Sequence, residues 1–167
     1  MPDTPRPLDA VDRRLVAALG ADARQTNKAL AEAAGVAPST SLERVRELER
    51  RGVVRGYHAD VDPAALGRRL QAVVAVRLQP KTQAVVEEFV DRVWALPETL
   101  AVSMVSGADD VLVHLGVTGT DHLRAVVLDS ISNLEGVVDE RTSIVFEHRR
   151  KHVIEPFDPA TGLPLRD

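Results

Sequence analysis

Val11, Leu15 and Leu19 recur every four residues and lay one apolar stripe along a helix that opens after Leu8 and leaves through Gly20. Asp9 can cap this helix, Asp12 falls in its first turn, and Gly20 offers a left-handed exit. A second helix follows Thr26, a good N-cap, with its body at residues 28–34 and Gly35 as its stop. A third opens at Pro38, a favoured first-turn residue, and runs to Arg50 or Arg51 before Gly52. Only Gly35, Val36 and Ala37 separate the second helix from the third. Two helices joined by about three residues including a glycine make the helix-turn-helix pattern, although an ordinary helical hairpin has the same spacing. Residues 52–61 are β-branched and broken by Gly56, which predicts a short wing or strand.

From Leu70 the period changes to that of strands. Residues 71–79 are short and β-branched and end at Pro80. Residues 81–95 read as a helix whose apolar positions are Val85, Val86, Phe89, Val90, Val93 and Trp94, stopped by Pro97. Strands at residues 100–106 and 111–118 flank a tight turn, Gly107-Ala108-Asp109-Asp110. A further helix spans about 120–133 with Leu123, Val127, Ile131 and Leu134 inward, and residues 137–147 form the last strand. The order β-α-β-β-α-β is the ferredoxin-like arrangement. The expected fold is therefore α+β: a winged helix-turn-helix unit over residues 8–56, a linker over 57–69, a ferredoxin-like domain over 70–155 and a tail over 156–167. Two helices cover one face of such a sheet, yet Val73 and Ala75 alternate with Val74 and Val76, and Leu112 and His114 with Val111, Val113 and Leu115. Strands apolar on both faces are buried on both, so the pattern predicts a homodimer in which a second copy covers the open face, the alternative cover being residues 156–167 or the N-terminal unit folded back over it.

Placed on a wheel, the third helix turns Leu42, Val45 and Leu48 toward the core. The opposite side then carries Thr40, Glu43, Arg44, Glu47 and Arg51, flanked by Ser39 and Arg50. The N-terminal part of a recognition helix meets base edges, which selects Ser39, Thr40, Glu43 and Arg44. Hydroxyls donate or accept, Glu accepts from cytosine N4 and Arg grips guanine. Arg46, Arg50, Arg51 and Arg55 suit phosphates, which position a protein without reading sequence.

Charge changes this picture modestly. The 167-residue chain has a formal net charge of −4. Through Asp60 there are ten Lys+Arg against nine Asp+Glu; beyond it, eleven against sixteen. A single copy should bind double-stranded DNA weakly, and two copies together more strongly. The absence of Cys excludes disulfides, Cys-ligated zinc and a Cys nucleophile. No apolar run reaches membrane-spanning length and no apolar segment follows Met1, so a cytoplasmic protein is expected. His148 and His152 stand four apart among three cations at a strand end, a poor metal site, and no metal or other cofactor is expected. Glycine-rich phosphate motifs are absent.

Several stretches together resemble the Lrp/AsnC (leucine-responsive / asparagine regulator) family. Leu8-Asp-Ala-Val-Asp-Arg-Arg-Leu15 looks like its opening segment, and Ala31-Glu-Ala-Ala-Gly-Val36 with residues 42–57 like its helix-turn-helix and linker. Val105-Ser-Gly-Ala-Asp-Asp-Val-Leu-Val113 and Gly136-Val-Val-Asp-Glu-Arg-Thr-Ser-Ile-Val145 resemble its hairpin and final strand. The resemblance spans residues 8–157 and keeps the order and gaps. It implies a non-enzymatic transcriptional regulator acting at pseudo-palindromic DNA. It also implies a homodimer that assembles further, commonly to an octamer, and an amino acid or related metabolite bound between subunits. By position the effector pocket would involve Met104, Gly107, Asp110, Thr120, Ser143 and Ile144. A ligand carboxylate can approach backbone N–H groups at Gly107, and Asp110 can pair with an α-amino group; read alone, the same residues are ordinary turn chemistry. Ala37 stands where the family usually has a capping Ser, and Ala108, Asp109, Val111 and Ser143 also depart from the pattern, so no particular amino acid is implied. Two alternatives share the architecture. One is a sirohaem decarboxylase-like enzyme, toward which His114 and His148 point; the other is a metabolite sensor that does not bind DNA.

Overall fold

The computed structural model describes residues 7–157, 161, 163 and 164. They divide into two compact units. One holds the described residues up to Ala59 together with those from Arg149 onward; the other is Asp60–His148.

The first unit is built on α1 (Ala10–Ala21), α2 (Asn27–Ala34) and α3 (Pro38–Arg50). A reciprocal capping box starts α1: Asp12 N–H donates to the Asp9 carboxylate at 2.9 Å, and Asp9 N–H donates to the Asp12 carboxylate at 3.3 Å. Thr26 caps α2 by accepting from Ala29 N–H at 3.2 Å, and Gly35 ends it at φ 68°, a conformation that suits glycine. The Asn27 side chain donates to the Pro38 carbonyl at 2.8 Å and ties the start of α2 to the start of α3. Ala37 provides no side-chain cap, and Pro38 opens α3 as expected. Leu15, Leu19, Leu30, Ala34 and Leu48 form the buried core, with Val11, Val36, Val45 and Val54 packed around it.

Two expectations for this unit are corrected. The expected wing is absent: between Gly52 and the short 3-10 turn Pro63–Leu66 no strand forms among the described residues. β-branched residues favour a strand only where another strand offers hydrogen bonds. The second correction concerns the phase of α3. Ser41 is fully buried while Leu42 is 41% exposed, so the inward stripe is Ser41, Val45 and Leu48.

The second unit is a four-stranded antiparallel sheet of β1 (Leu70–Leu78), β2 (Thr99–Met104), β3 (Val111–Val117) and β4 (Val137–Val145), ordered β2-β3-β1-β4. The helix α4 (Gln83–Trp94) and the helix α5 (Thr120–Ala125) with its continuation complete the βαββαβ order. Ala72, Val74, Val76 and Leu78 alternate onto the helix side with Val111, Val113, Leu115 and Val117, and all are buried against Phe89, Val93, Leu123 and Ile131. Trp94, expected inward, is exposed. The expected helix over 120–133 changes character: after Ala125 it widens into a π-helical turn, Val126–Ile131. There Ser132 N–H donates five residues back to the Val127 carbonyl at 2.8 Å, and Val126, Val127 and Ile131 all reach the buried side.

On the opposite face, register aligns Val73 with His114 and Ala101, and Ala75 with Leu112 and Ser103. Val73, Ala75, Leu112 and His114 are only half-buried there. The His114 and His148 rings meet on this unit with centroids 5.3 Å apart, and burial, then the charge of His148, holds the His114 pKa down.

Candidate nucleic-acid interface and effector site

The phase of α3 decides which side chains face outward. A helix advances about 100° per residue. Centring the buried stripe on Ser41 and Leu48 turns the outward face toward Ser39, Glu43, Arg46 and Arg50, and all four are exposed. Leu42 borders this face, and Thr40 is half-buried beside it. Arg50 pairs with Glu47 one turn back along the helix. Arg55 lies exposed beyond the helix, in a segment that the Tyr57 hydroxyl holds near α3 by donating to Glu49 at 2.7 Å.

Arg44 is not on that face. Its guanidinium donates to the Asp9 carboxylate and, at 3.0 Å, to that of Asp12. Arg51, whose side chain is only 18% exposed, stands 3.8 Å from Asp12. The Asp12 side chain is 3% exposed, and a carboxylate so buried needs cations and hydrogen bonds around it. The Arg44 guanidinium and the Asp12 N–H hold the Asp9 carboxyl below its ordinary pKa, and the two carboxylates raise that of Arg44. Arg44 and Arg51, expected at guanine and phosphate respectively, here fasten α3 to the first turn of α1. The carboxylates were visible in the sequence as a cap. Their second use, as anchors for two arginines more than thirty residues away, has no local signal.

Of the candidate effector residues, Met104, Gly107 and Asp110 share the β2–β3 hairpin, while Thr120, Ser143 and Ile144 lie elsewhere in the protomer. Met104, opposite Val111, is exposed at the end of β2. Gly107 sits in the hairpin turn at φ 139° with open space where a side chain would project. Asp110 closes that turn. Its carboxylate accepts from Leu78 N–H at 2.9 Å and pairs with Lys81 at 2.8 Å. The Leu78 N–H, then Lys81, lowers its pKa. The carboxylate, expected to pair with a ligand amino group, is engaged within the chain by Leu78 and by Lys81, a partner the sequence did not reveal. Thr120 lies beyond the other end of β3, about 20 Å from Asp110 at strand rise. Ser143 and Ile144 are both exposed on β4, opposite Val73 and Ala72, and as strand neighbours their side chains point to opposite faces.

Among the described residues there is no group of three or more His, Asp or Glu side chains that could hold a metal ion. Nor is any helix among them long and apolar enough to cross a membrane.

Comparison with known proteins agrees with this division of labour. The AsnC-type helix-turn-helix domain family matches residues 8–49, and the Lrp/AsnC ligand binding domain family matches residues 71–153. The chain is 41% identical over 145 residues to the HTH-type transcriptional regulator AldR of Mycolicibacterium smegmatis, covering 87% of this chain and 85% of that protein. It is 35% identical over 140 residues to the leucine-responsive regulatory protein of Escherichia coli, covering 84% and 85%. Among solved structures, a Neisseria meningitidis transcriptional regulator in complex with L-Met superposes with a TM-score of 0.81 at 30% identity, covering 89% of this chain and 96% of that one. These relatives are regulators rather than enzymes, which sets the decarboxylase alternative aside. An AsnC-type DNA-binding helix-turn-helix followed by a βαββαβ ligand-binding domain, matched over most of its length, makes this chain a member of the Lrp/AsnC family of transcriptional regulators.

Proposed function

We propose that this regulator reads pseudo-palindromic duplex DNA as a homodimer, with Ser39, Glu43, Arg46 and Arg50 facing the major groove. Thr40 flanks the contact and Arg55 meets a phosphate. Arg44 and Arg51 act at one remove, by holding α3 at its angle to α1. The observation that carries this reading is the outward face of α3: the Ser39 hydroxyl, the Glu43 carboxylate and the Arg46 guanidinium on its N-terminal and central turns and Arg50 at its last residue, all exposed.

The effector is an amino acid or a related small metabolite, as the L-Met complex of the Neisseria relative suggests. Its pocket draws on Met104, Gly107, Asp110, Thr120, Ser143 and Ile144. The separation of Asp110 from Thr120 supports a pocket shared between copies, since one amino acid cannot span it. In this arrangement the backbone at Gly107 meets the ligand, and Asp110 fixes the turn. The half-buried Val73, Ala75, Leu112 and His114 support covering of the open face by a second copy; further assembly toward an octamer is implied by the family alone.

Selection of bound sequences from a random duplex pool by the full-length protein tests the DNA reading. Two related half-sites in inverted orientation, one helical turn or a multiple apart, are expected. Enrichment of no sequence would refute it. Light scattering at micromolar protein should give a multiple of 18.1 kDa, and a monomer would overturn the dimer. Calorimetry against the twenty amino acids tests the effector, and the absence of heat with every one would remove amino acids from the reading.

A further inference from the structure

From Arg149 onward the segment after β4 packs with the helical unit, although the ligand-binding family match runs on to residue 153. Its main chain is seated on α1. A β-carbon built at Gly20 would stand 3.0 Å from the His152 carbonyl oxygen and 3.5 Å from the Val153 Cα. This seating presents a run of three consecutive cations, Arg149-Arg150-Lys151, in a chain whose net charge is −4. Arg150 and Lys151 are exposed. Past Gly20, the same chain carries exposed Arg24 and then exposed Lys28 at the start of α2. The first helix of a helix-turn-helix crosses the sugar-phosphate backbone.

We propose that Arg150 and Lys151 form a second phosphate-contact surface, supplied to the DNA-binding unit by the far end of the chain. It grips the duplex backbone beside the stretch engaged by α2 and α3. It carries no sequence information, because phosphates are alike at every base pair. It adds positive charge to a recognition helix whose own arginines are partly offset by Glu43 and Glu47. The proposal rests on the reading that this chain binds duplex DNA.

Each phosphate neutralised releases counterions, and log K falls with log salt by about 0.9 per contact. The test compares full-length wild type with the Arg150→Ala/Lys151→Ala double variant on a duplex enriched by the wild type. Binding is measured from 50 to 200 mM KCl. The variant's salt slope should be shallower by about 1.8 per protomer, so that the wild type's advantage shrinks about twelvefold per protomer over that fourfold range. Base preference and thermal melting should be unchanged. The charge-conserving Arg150→Lys/Lys151→Arg variant should restore the wild-type slope. An unchanged slope in the alanine variant, or an altered base preference, would overturn the proposal while leaving the α3 reading in place. If the wild type enriches no sequence and shows no salt-dependent binding, both readings fall together.

Discussion

Arg44→Ala separates a positioning residue from a base-reading one. Removing the guanidinium takes one hydrogen-bonded cation from Asp9 and one from Asp12, whose side chain is 3% exposed. Breaking a fully buried ion pair from one side costs about 3–5 kcal/mol. Here the Arg44 and Asp9 side chains are 31% and 40% exposed, and Arg51 remains 3.8 Å from Asp12, so solvent and the second arginine reduce the cost. A loss of about 2 kcal/mol is expected, large against the roughly 3–8 kcal/mol that holds a unit of this size together. Melting of the helical unit, followed by far-UV circular dichroism, should fall by about 10 °C. Arg44→Lys should recover part of the loss, because an ammonium keeps the charge between the two carboxylates but is a more strongly hydrated group on a flexible stem. The acid dependence carries a sign. The Asp9 pKa is lowered in the folded state, so its contribution is complete above the ordinary carboxylate pKa and disappears as pH falls through the lowered value. The wild type's advantage over the variant should therefore shrink only in acid. An unchanged melt together with altered base preference would refute the clamp and return Arg44 to the groove.

Three further outcomes follow from the same geometry. Arg46→Ala should leave the melt within about 0.5 kcal/mol of wild type yet relax preference at one base position, at a cost of about 1–3 kcal/mol, read by repeating the sequence selection. Asp110→Asn removes the ion pair with Lys81 and weakens the acceptor for Leu78 N–H; it should cost the sheet unit about 1 kcal/mol in denaturant unfolding. Because the Asp110 pKa is lowered, that cost should fade as pH drops below the usual carboxylate range. Ser41→Ala should be neutral or raise the melting temperature, since the buried Ser41 hydroxyl has no hydrogen-bond partner among the described residues and alanine favours the helix; a clear loss of stability would contradict this.

Elements governed by local periodicity were readable in advance. The three helices, the βαββαβ order and the inward set of β1 and β3 follow from spacing and from breakers such as Gly35, Pro97 and the Gly107–Asp110 turn. Errors arose where spacing admits two answers. Leu42, Val45 and Leu48 satisfy an amphipathic helix as well as Ser41, Val45 and Leu48 do; only tertiary contact chooses, and it buries the serine. The two phases differ by a rotation of the contact face, and only the first turns Arg44 outward. The wing failed for a different reason: composition signals a willingness to pair, not the presence of a partner strand. Contacts between residues distant in sequence, Arg44 with Asp12 or Lys81 with Asp110, leave no periodic trace. The polar segment after β4 has no apolar rhythm, so its seat on α1 was invisible.

That seat makes the helical unit discontinuous along the chain, which leaves it at Ala59 and returns at Arg149. During synthesis, α1 to α3 emerge first and can close around Leu15 and Leu48, but the portion resting on Gly20 arrives only after the whole sheet has been made. A fragment ending near Ala59 would be missing a piece of its own unit. Truncations meant to isolate DNA binding should therefore carry residues 149–157 along, joined to α1 by a linker if the sheet is removed.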